Sequence, residues 1–139
     1  MDIDEILDNF SFLEEWDDRY RYLVELGRDI EPLPETERTD TNKVLGCVSQ
    51  VWLSTSIDGS GDSATLTFIG DSDAHIVRGL LAILIAMCSG KTAAELRALD
   101  LEGTFRTLGL EDHLTPQRAN GLKAMIQRVR ADAERARAA

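Results

Sequence analysis

Apolar residues recur at intervals of three and four along residues 1–28, which indicates an amphipathic helical region. The pattern predicts two helices, or one helix broken near residues 9–11. Ser11 and Glu14 form a capping-box pair, so the second helix is expected to begin there. Gly27 is expected to end it, because glycine is favoured just beyond helix C-termini.

Strand-like alternation follows a polar, proline-containing connection over residues 29–42. It predicts strands over residues 50–57 and 64–69, joined at residues 58–61, where the sequence Asp-Gly-Ser-Gly is a strong turn signal. A short additional strand is predicted around residues 43–45. These strands would form an antiparallel sheet with one face covered by helices.

The second half of the chain is predicted to be helical. Residues 73–88 carry almost no polar side chains and form a buried central helix, which Asp71 or Ser72 can cap. A capping-box pair predicts a short helix over residues 92–99, and a Thr-Pro start predicts a long helix over residues 115–135. The expected fold is α+β, with a small antiparallel three-stranded sheet packed against N-terminal, central and C-terminal helices.

Composition narrows the class of protein. The chain has 139 residues and 43% hydrophobic content, which is enough for a proper core, so a single domain over residues 1–139 is expected. The net charge of −10 argues against nucleic acid and anionic membrane surfaces as partners. No apolar run reaches the roughly 20 residues that a transmembrane helix needs. With no signal-like N-terminus either, we expect a cytoplasmic protein.

Cys47 is the main candidate for chemistry. It lies between Gly46 and Val48, where a loop is expected to turn into a strand, and Gly46 allows a tight turn with positive φ. From the residues alone, Cys47 is either a small buried hydrophobe or a thiol presented to another protein. Cys88 ends the predicted central helix and is expected to be an inert core thiol. The cysteines and histidines lack metal-ligand spacing, so no native metal site is expected.

Three stretches of the sequence resemble the SufE family of sulfur acceptors. They are Gly46-Cys47-Val48-Ser49-Gln50-Val51-Trp52, the run from Asp71 to Leu80, and the run from His113 to Leu122, in the family's order. The resemblance implies that Cys47 receives sulfur as a persulfide from a partner cysteine desulfurase. It also implies a fold similar to that of iron–sulfur scaffold proteins.

The resemblance also implies partners. The chain would stimulate a desulfurase that carries pyridoxal phosphate (PLP), and would pass sulfur to a downstream iron–sulfur scaffold. It would be a sulfur carrier rather than an enzyme and would need no cofactor of its own. The sequence leaves open whether the chain is a monomer or a homodimer.

Two alternative functions remain open at this point. An iron–sulfur scaffold would share an α+β architecture, but clusters are normally held by several cysteines, and this chain has two. A thiol enzyme would use Cys47 as nucleophile with His75 or His113 as base. His75 is expected near the start of the central helix, where partial exposure without a chemical role is the simpler interpretation.

The surroundings of Cys47 lead to further expectations. Arg38 and Lys43 would lower the pKa of the thiol if they fold close to it, although a surface position is the default. Arg118 falls in the first turn of the last helix, where the dipole disfavours a cation. It is therefore expected to have a compensating carboxylate, or to face sulfur or a partner. Ser49 and Gln50 are candidate hydrogen-bond donors to the sulfur.

A last expectation concerns how the thiol is presented. The apolar flanks Val44, Leu45 and Val48 are expected to hold Cys47 against the core, where it is protected from oxidation. Transfer of sulfur requires the thiol to be exposed. Residues 43–49 are therefore predicted to form a loop with two arrangements.

Overall fold

The computed structural model describes residues 2–139 and shows an α+β fold. That part of the chain contains seven α-helices and one three-stranded antiparallel sheet. The helices are α1 (Ile3–Phe12), α2 (Trp16–Arg28), α3 (His75–Cys88), α4 (Ala93–Ala98), α5 (Leu101–Thr107), α6 (Leu110–His113) and α7 (Pro116–Ala138). The strands are β1 (Val51–Asp58), β2 (Thr65–Ser72) and β3 (Lys91–Thr92). The predicted fold class is confirmed.

The N-terminal region forms two helices, but its boundaries differ from the predicted ones. Ser11 lies inside α1, where its hydroxyl donates to the Asp8 carbonyl at 2.6 Å, and α2 begins only at Trp16. Gly27 does not end a helix. It lies inside α2, where a Cβ would approach the Gly79 nitrogen to 2.9 Å, so this glycine allows α2 and α3 to pack closely.

The sheet has the order β1-β2-β3, and its third strand is not the one expected. Residues 43–45 contribute a single bridge between Lys43 and Trp52. The third strand is instead Lys91–Thr92, which pairs with β2. Gly46, at a φ of +94°, explains the short pairing, because the chain turns away from β1 directly after Leu45.

The central helix α3 is buried, as predicted, and lies on the face of the sheet that contains Leu53 and Gly70. A Cβ on Gly70 would lie 3.0 Å from the Leu81 side chain, so the glycine lets α3 approach β2. The expected caps are not used. The N-cap of α3 is Ala74, without a side-chain bond, while Asp71 forms ion pairs with Arg38 and Arg78.

The long helix α7 begins as predicted, because Pro116 occupies its first turn and the Thr115 hydroxyl accepts the Arg118 N–H at 3.3 Å. Two arginines of this helix, Arg128 and Arg130, are partly buried. Arg128 donates to carbonyls of the segment before β1, and Arg130 forms an ion pair with Glu102. No helix in residues 2–139 is long and apolar enough to cross a membrane.

Candidate functional site

All three stretches that carry the sequence resemblance meet at one pocket of about 260 Å³. The loop before β1, the start of α3 and the start of α7 each contribute to it. Its lining residues are Cys47, Val48, Ser49, Ala74, Val77, Thr115, Gln117, Arg118 and Gly121. Segments far apart in sequence thus surround one thiol.

Cys47 lies in a loop rather than at the first residue of a strand. Residues 45–50, here called the Cys47 loop, separate the bridge at Lys43 from the start of β1 at Val51. The thiol is half-buried, and its sulfur lies 3.6 Å from the carbonyl oxygen of Gly121 in α7, to which it donates. A side chain at Gly121 would reach the sulfur, since a Cβ there would lie 3.6 Å from it.

Burial raises the pKa of the Cys47 thiol above its ordinary value, so the thiol is protonated at neutral pH in this arrangement. Neither Arg38 nor Lys43 lowers the pKa of the Cys47 thiol, although the sequence suggested that either could. Arg38 is partly buried, forms an ion pair with Asp71 and lies 5.0 Å above the ring of Trp52. The resting thiol is therefore a weak nucleophile, because the thiolate is the reactive form.

Ser49 and Gln50 were the expected hydrogen-bond donors to the Cys47 sulfur. In residues 2–139, neither Ser49 nor Gln50 donates to Cys47. The backbone of Gln50 instead binds the connection from β2 to α3: its N–H donates to the Asp73 carboxylate at 3.0 Å, and its carbonyl accepts the Ser72 hydroxyl at 2.8 Å. These bonds fix the C-terminal end of the Cys47 loop.

The apolar flanks of Cys47 do not all face the core, contrary to expectation. Val44 is buried, at 4% exposure, but Leu45 and Val48 are 81% and 77% exposed. Exposed apolar side chains of this size are a feature of protein contact surfaces when they cluster. Here they lie on both sides of a thiol that is itself turned inward.

Arg118 lines the Cys47 pocket. It is exposed, and no carboxylate in the part of the chain that the structure describes lies within 4.0 Å of its guanidinium. The expected compensating carboxylate is therefore absent from that part. The cation adds to the positive end of the α7 dipole beside Cys47.

Neither histidine lines the pocket of Cys47 within residues 2–139. His75 is exposed at the first turn of α3. His113 stacks on Trp16 with ring centroids 3.6 Å apart, and its Nδ1 lies 2.9 Å from the Gly109 carbonyl oxygen. The base that a thiol enzyme requires is not next to Cys47 in this arrangement.

Cys88 is fully buried at the C-terminal end of α3, and burial raises the pKa of its thiol to about 12. Val77 lines the pocket from the other end of this helix, roughly 16 Å away at the rise of an α-helix. The two cysteines thus occupy separate sites. Residues 2–139 contain no group of three or more His, Cys, Asp or Glu side chains placed to hold a metal ion.

The sequence singled out Cys47 as a candidate but gave no indication that Gly121 and Val77 would lie next to it. Their only sequence signal was membership in the resembling stretches, because a contact across 74 residues leaves no local pattern.

The family of this chain follows from its similarity to known proteins. The family model "SufE: Fe-S metabolism associated domain" matches residues 4–133. A SufE-like protein of Rhizobium meliloti is 53% identical over 132 residues, which cover 95% of this chain and 94% of that protein. A SufE-like protein of Rhizobium etli is 51% identical over 132 residues, covering 95% and 89%. The chain therefore belongs to the SufE family of domains associated with Fe–S metabolism.

Proposed function

We propose that this protein accepts sulfur on Cys47 from a PLP-dependent cysteine desulfurase and passes it on for iron–sulfur cluster assembly. The observation that carries the proposal is the convergence of three distant segments on one half-buried thiol. The chain acts as a carrier and as an activator of its partner. Its place of action would be the cytoplasm, where thiols remain reduced.

The transfer step is a thiol–disulfide type exchange. The Cys47 thiolate attacks the outer sulfur of the desulfurase persulfide. An S–S bond forms on Cys47 as the S–S bond of the desulfurase breaks, and the electron pair leaves with the desulfurase thiolate. The proton that Cys47 loses is taken up by that thiolate or by solvent. No external oxidant or reductant is required.

The resting arrangement is unfavourable for this step, for two reasons. Burial keeps Cys47 protonated, and its sulfur is turned toward the Gly121 carbonyl instead of the outside. The Cys47 loop must therefore change its arrangement before sulfur is transferred. A desulfurase shifts this equilibrium only if it binds the exposed arrangement more tightly.

The surface around the pocket supplies the contacts for such a partner. Leu45 and Val48 provide exposed apolar area, and Arg118 provides a cation without a carboxylate partner in residues 2–139. When a desulfurase covers this surface, the apolar side chains are removed from water, which stabilises the complex. The same contact shields the persulfide from oxidants during transfer.

The proposal is tested by desulfurase turnover. Alanine formation from L-cysteine is measured with a cysteine desulfurase alone, with the wild-type chain, and with Cys47→Ser or Cys88→Ala. The wild-type chain and Cys88→Ala are expected to accelerate turnover, because the buried Cys88 takes no part, whereas Cys47→Ser is expected to lose the acceleration. Equal acceleration by Cys47→Ser would contradict the proposal.

A further inference from the structure

Backbone hydrogen bonds close the base of the Cys47 loop. The Val44 N–H donates to the Val51 carbonyl at 2.8 Å, and the Leu53 N–H donates to the Asn42 carbonyl at 2.8 Å. Residues 41–44 thus form the N-terminal limb of the loop. The position of this limb determines where the loop begins.

The side chain of Arg128 holds this limb from α7. Its Nη2 donates to the Thr41 carbonyl at 3.0 Å, and its Nη1 donates to the Lys43 carbonyl at 3.5 Å. Only 20% of the Arg128 side chain is exposed. A guanidinium presents several donors in a planar fork, which suits two neighbouring carbonyls on one segment.

A buried carboxylate orients this guanidinium. Asp132 is 1% exposed, and its Oδ1 lies 3.4 Å from Nε of Arg128. Its Oδ2 accepts the Thr55 hydroxyl of β1 at 2.6 Å, and its Oδ1 also pairs with Arg135 at 2.9 Å. The carboxylate is therefore fixed from two elements, which leaves the Arg128 side chain little freedom to move away from the limb.

We propose that Arg128 and Asp132 form a clamp that fixes the N-terminal limb of the Cys47 loop to α7 and thereby sets the resting position of the thiol. Gly121 lies in the same helix, and its carbonyl accepts a hydrogen bond from the Cys47 thiol. Helix α7 therefore contacts both the base of the loop and the sulfur atom. Arg128 is a positioning residue that acts through the backbone of the limb. The loop opens when this hold is released.

The relevance of the clamp to sulfur transfer rests on the proposed function. The clamp itself is a structural claim about the isolated chain. Exposure of the thiol is measured on the isolated full-length chain. The results of these measurements do not depend on whether Cys47 accepts sulfur. Arg118, which lines the pocket of Cys47, is retained in every variant, so the charge beside the thiol does not change between variants.

The test compares Arg128→Ala and Arg128→Lys with a matched control, Arg130→Ala. Arg130 lies in the same helix and forms an ion pair with Glu102 instead of contacting the limb. The readouts are the alkylation rate of Cys47 and hydrogen exchange over residues 41–49. Arg128→Ala is expected to raise the alkylation rate about tenfold, because a hydrogen bond from a charged donor is lost. Arg128→Lys is expected to be intermediate, and Arg130→Ala to match the wild type.

A second readout separates positioning from general loss of stability. If the clamp holds the thiol in its buried position, Arg128→Ala also lowers the pKa of Cys47 in the pH profile of alkylation, because the freed thiol is better solvated. Equal rates, exchange and pH profiles for Arg128→Ala and Arg130→Ala would overturn the clamp. If Arg128→Ala does not fold, Arg128→Lys decides in the same way, and a rate equal to the wild type overturns it.

Discussion

Gly46 offers a direct way to change the resting position of Cys47. Its φ is +94°, a conformation that side chains with a Cβ rarely adopt, so Gly46→Ala strains the backbone by about 1–2 kcal/mol. Steric overlap adds little, because the new Cβ would meet the Ala124 Cβ at 3.4 Å, an ordinary contact. The strain therefore acts on the turn itself.

The strain is relieved when the Cys47 loop leaves its resting position. At 1.4 kcal/mol for each factor of ten, the open population is expected to rise by roughly tenfold. The alkylation rate of Cys47 follows the open population when opening and closing are fast, so it rises by the same factor. The assay is the time course of alkylation under native conditions without any partner.

Gly90→Ala is the matched control. Gly90 has a φ of +84° after the end of α3, and a Cβ there would meet nothing within 4 Å. This variant is expected to lose similar stability in global unfolding while Cys47 reacts at the wild-type rate. If Gly46→Ala alkylates no faster than Gly90→Ala, Gly46 does not hold the resting arrangement and the reasoning is refuted.

Two other expectations concern residues away from the Cys47 loop. Asp71→Asn is expected to cost about 1–3 kcal/mol of stability at neutral pH, because Arg38 and Arg78 lose the partly buried carboxylate that they share. Burial raises the pKa of Asp71, but the Ser72 N–H and the two arginines together lower it by more, so the pKa lies below its ordinary value. The carboxylate therefore stabilises the fold above about pH 4 and loses this effect below its folded pKa. Acid unfolding should accordingly be steeper for the wild type than for Asp71→Asn, and equal acid profiles would contradict the ion-pair assignment. Cys88, with no exposed surface and a thiol pKa of about 12, is expected to resist maleimide until the protein is denatured, and labelling at the rate of Cys47 would contradict its burial.

Local patterns in the sequence predicted most elements correctly. The Thr92–Glu95 capping box and the Thr-Pro start of α7 are confirmed, because their bonds lie within one turn of helix. The Ser11–Glu14 pair failed although it has the same pattern. The buried Phe10 packs against Tyr22 and keeps α1 helical beyond Ser11, so a tertiary contact overrides the local signal.

The candidate site was harder to predict than the helices and strands, because it is built from contacts between residues far apart in sequence. The residues around Cys47 left its role open, and the resemblance to the SufE family made it the candidate, while the positive φ of Gly46 was predicted correctly. The Gly121 carbonyl beneath the thiol and the outward direction of Leu45 and Val48 could not be predicted. They depend on where α7 crosses the Cys47 loop, which no local period encodes.

Mass spectrometry of the protein after incubation with a cysteine desulfurase and L-cysteine tests the central claim most directly. One reductant-labile sulfur atom is expected on the peptide that contains Cys47, with none on the peptide that contains Cys88. The Cys47→Ser variant is expected to carry no added sulfur. Sulfur found on Cys88, or retained by Cys47→Ser, would contradict the assignment of Cys47 as the sulfur acceptor.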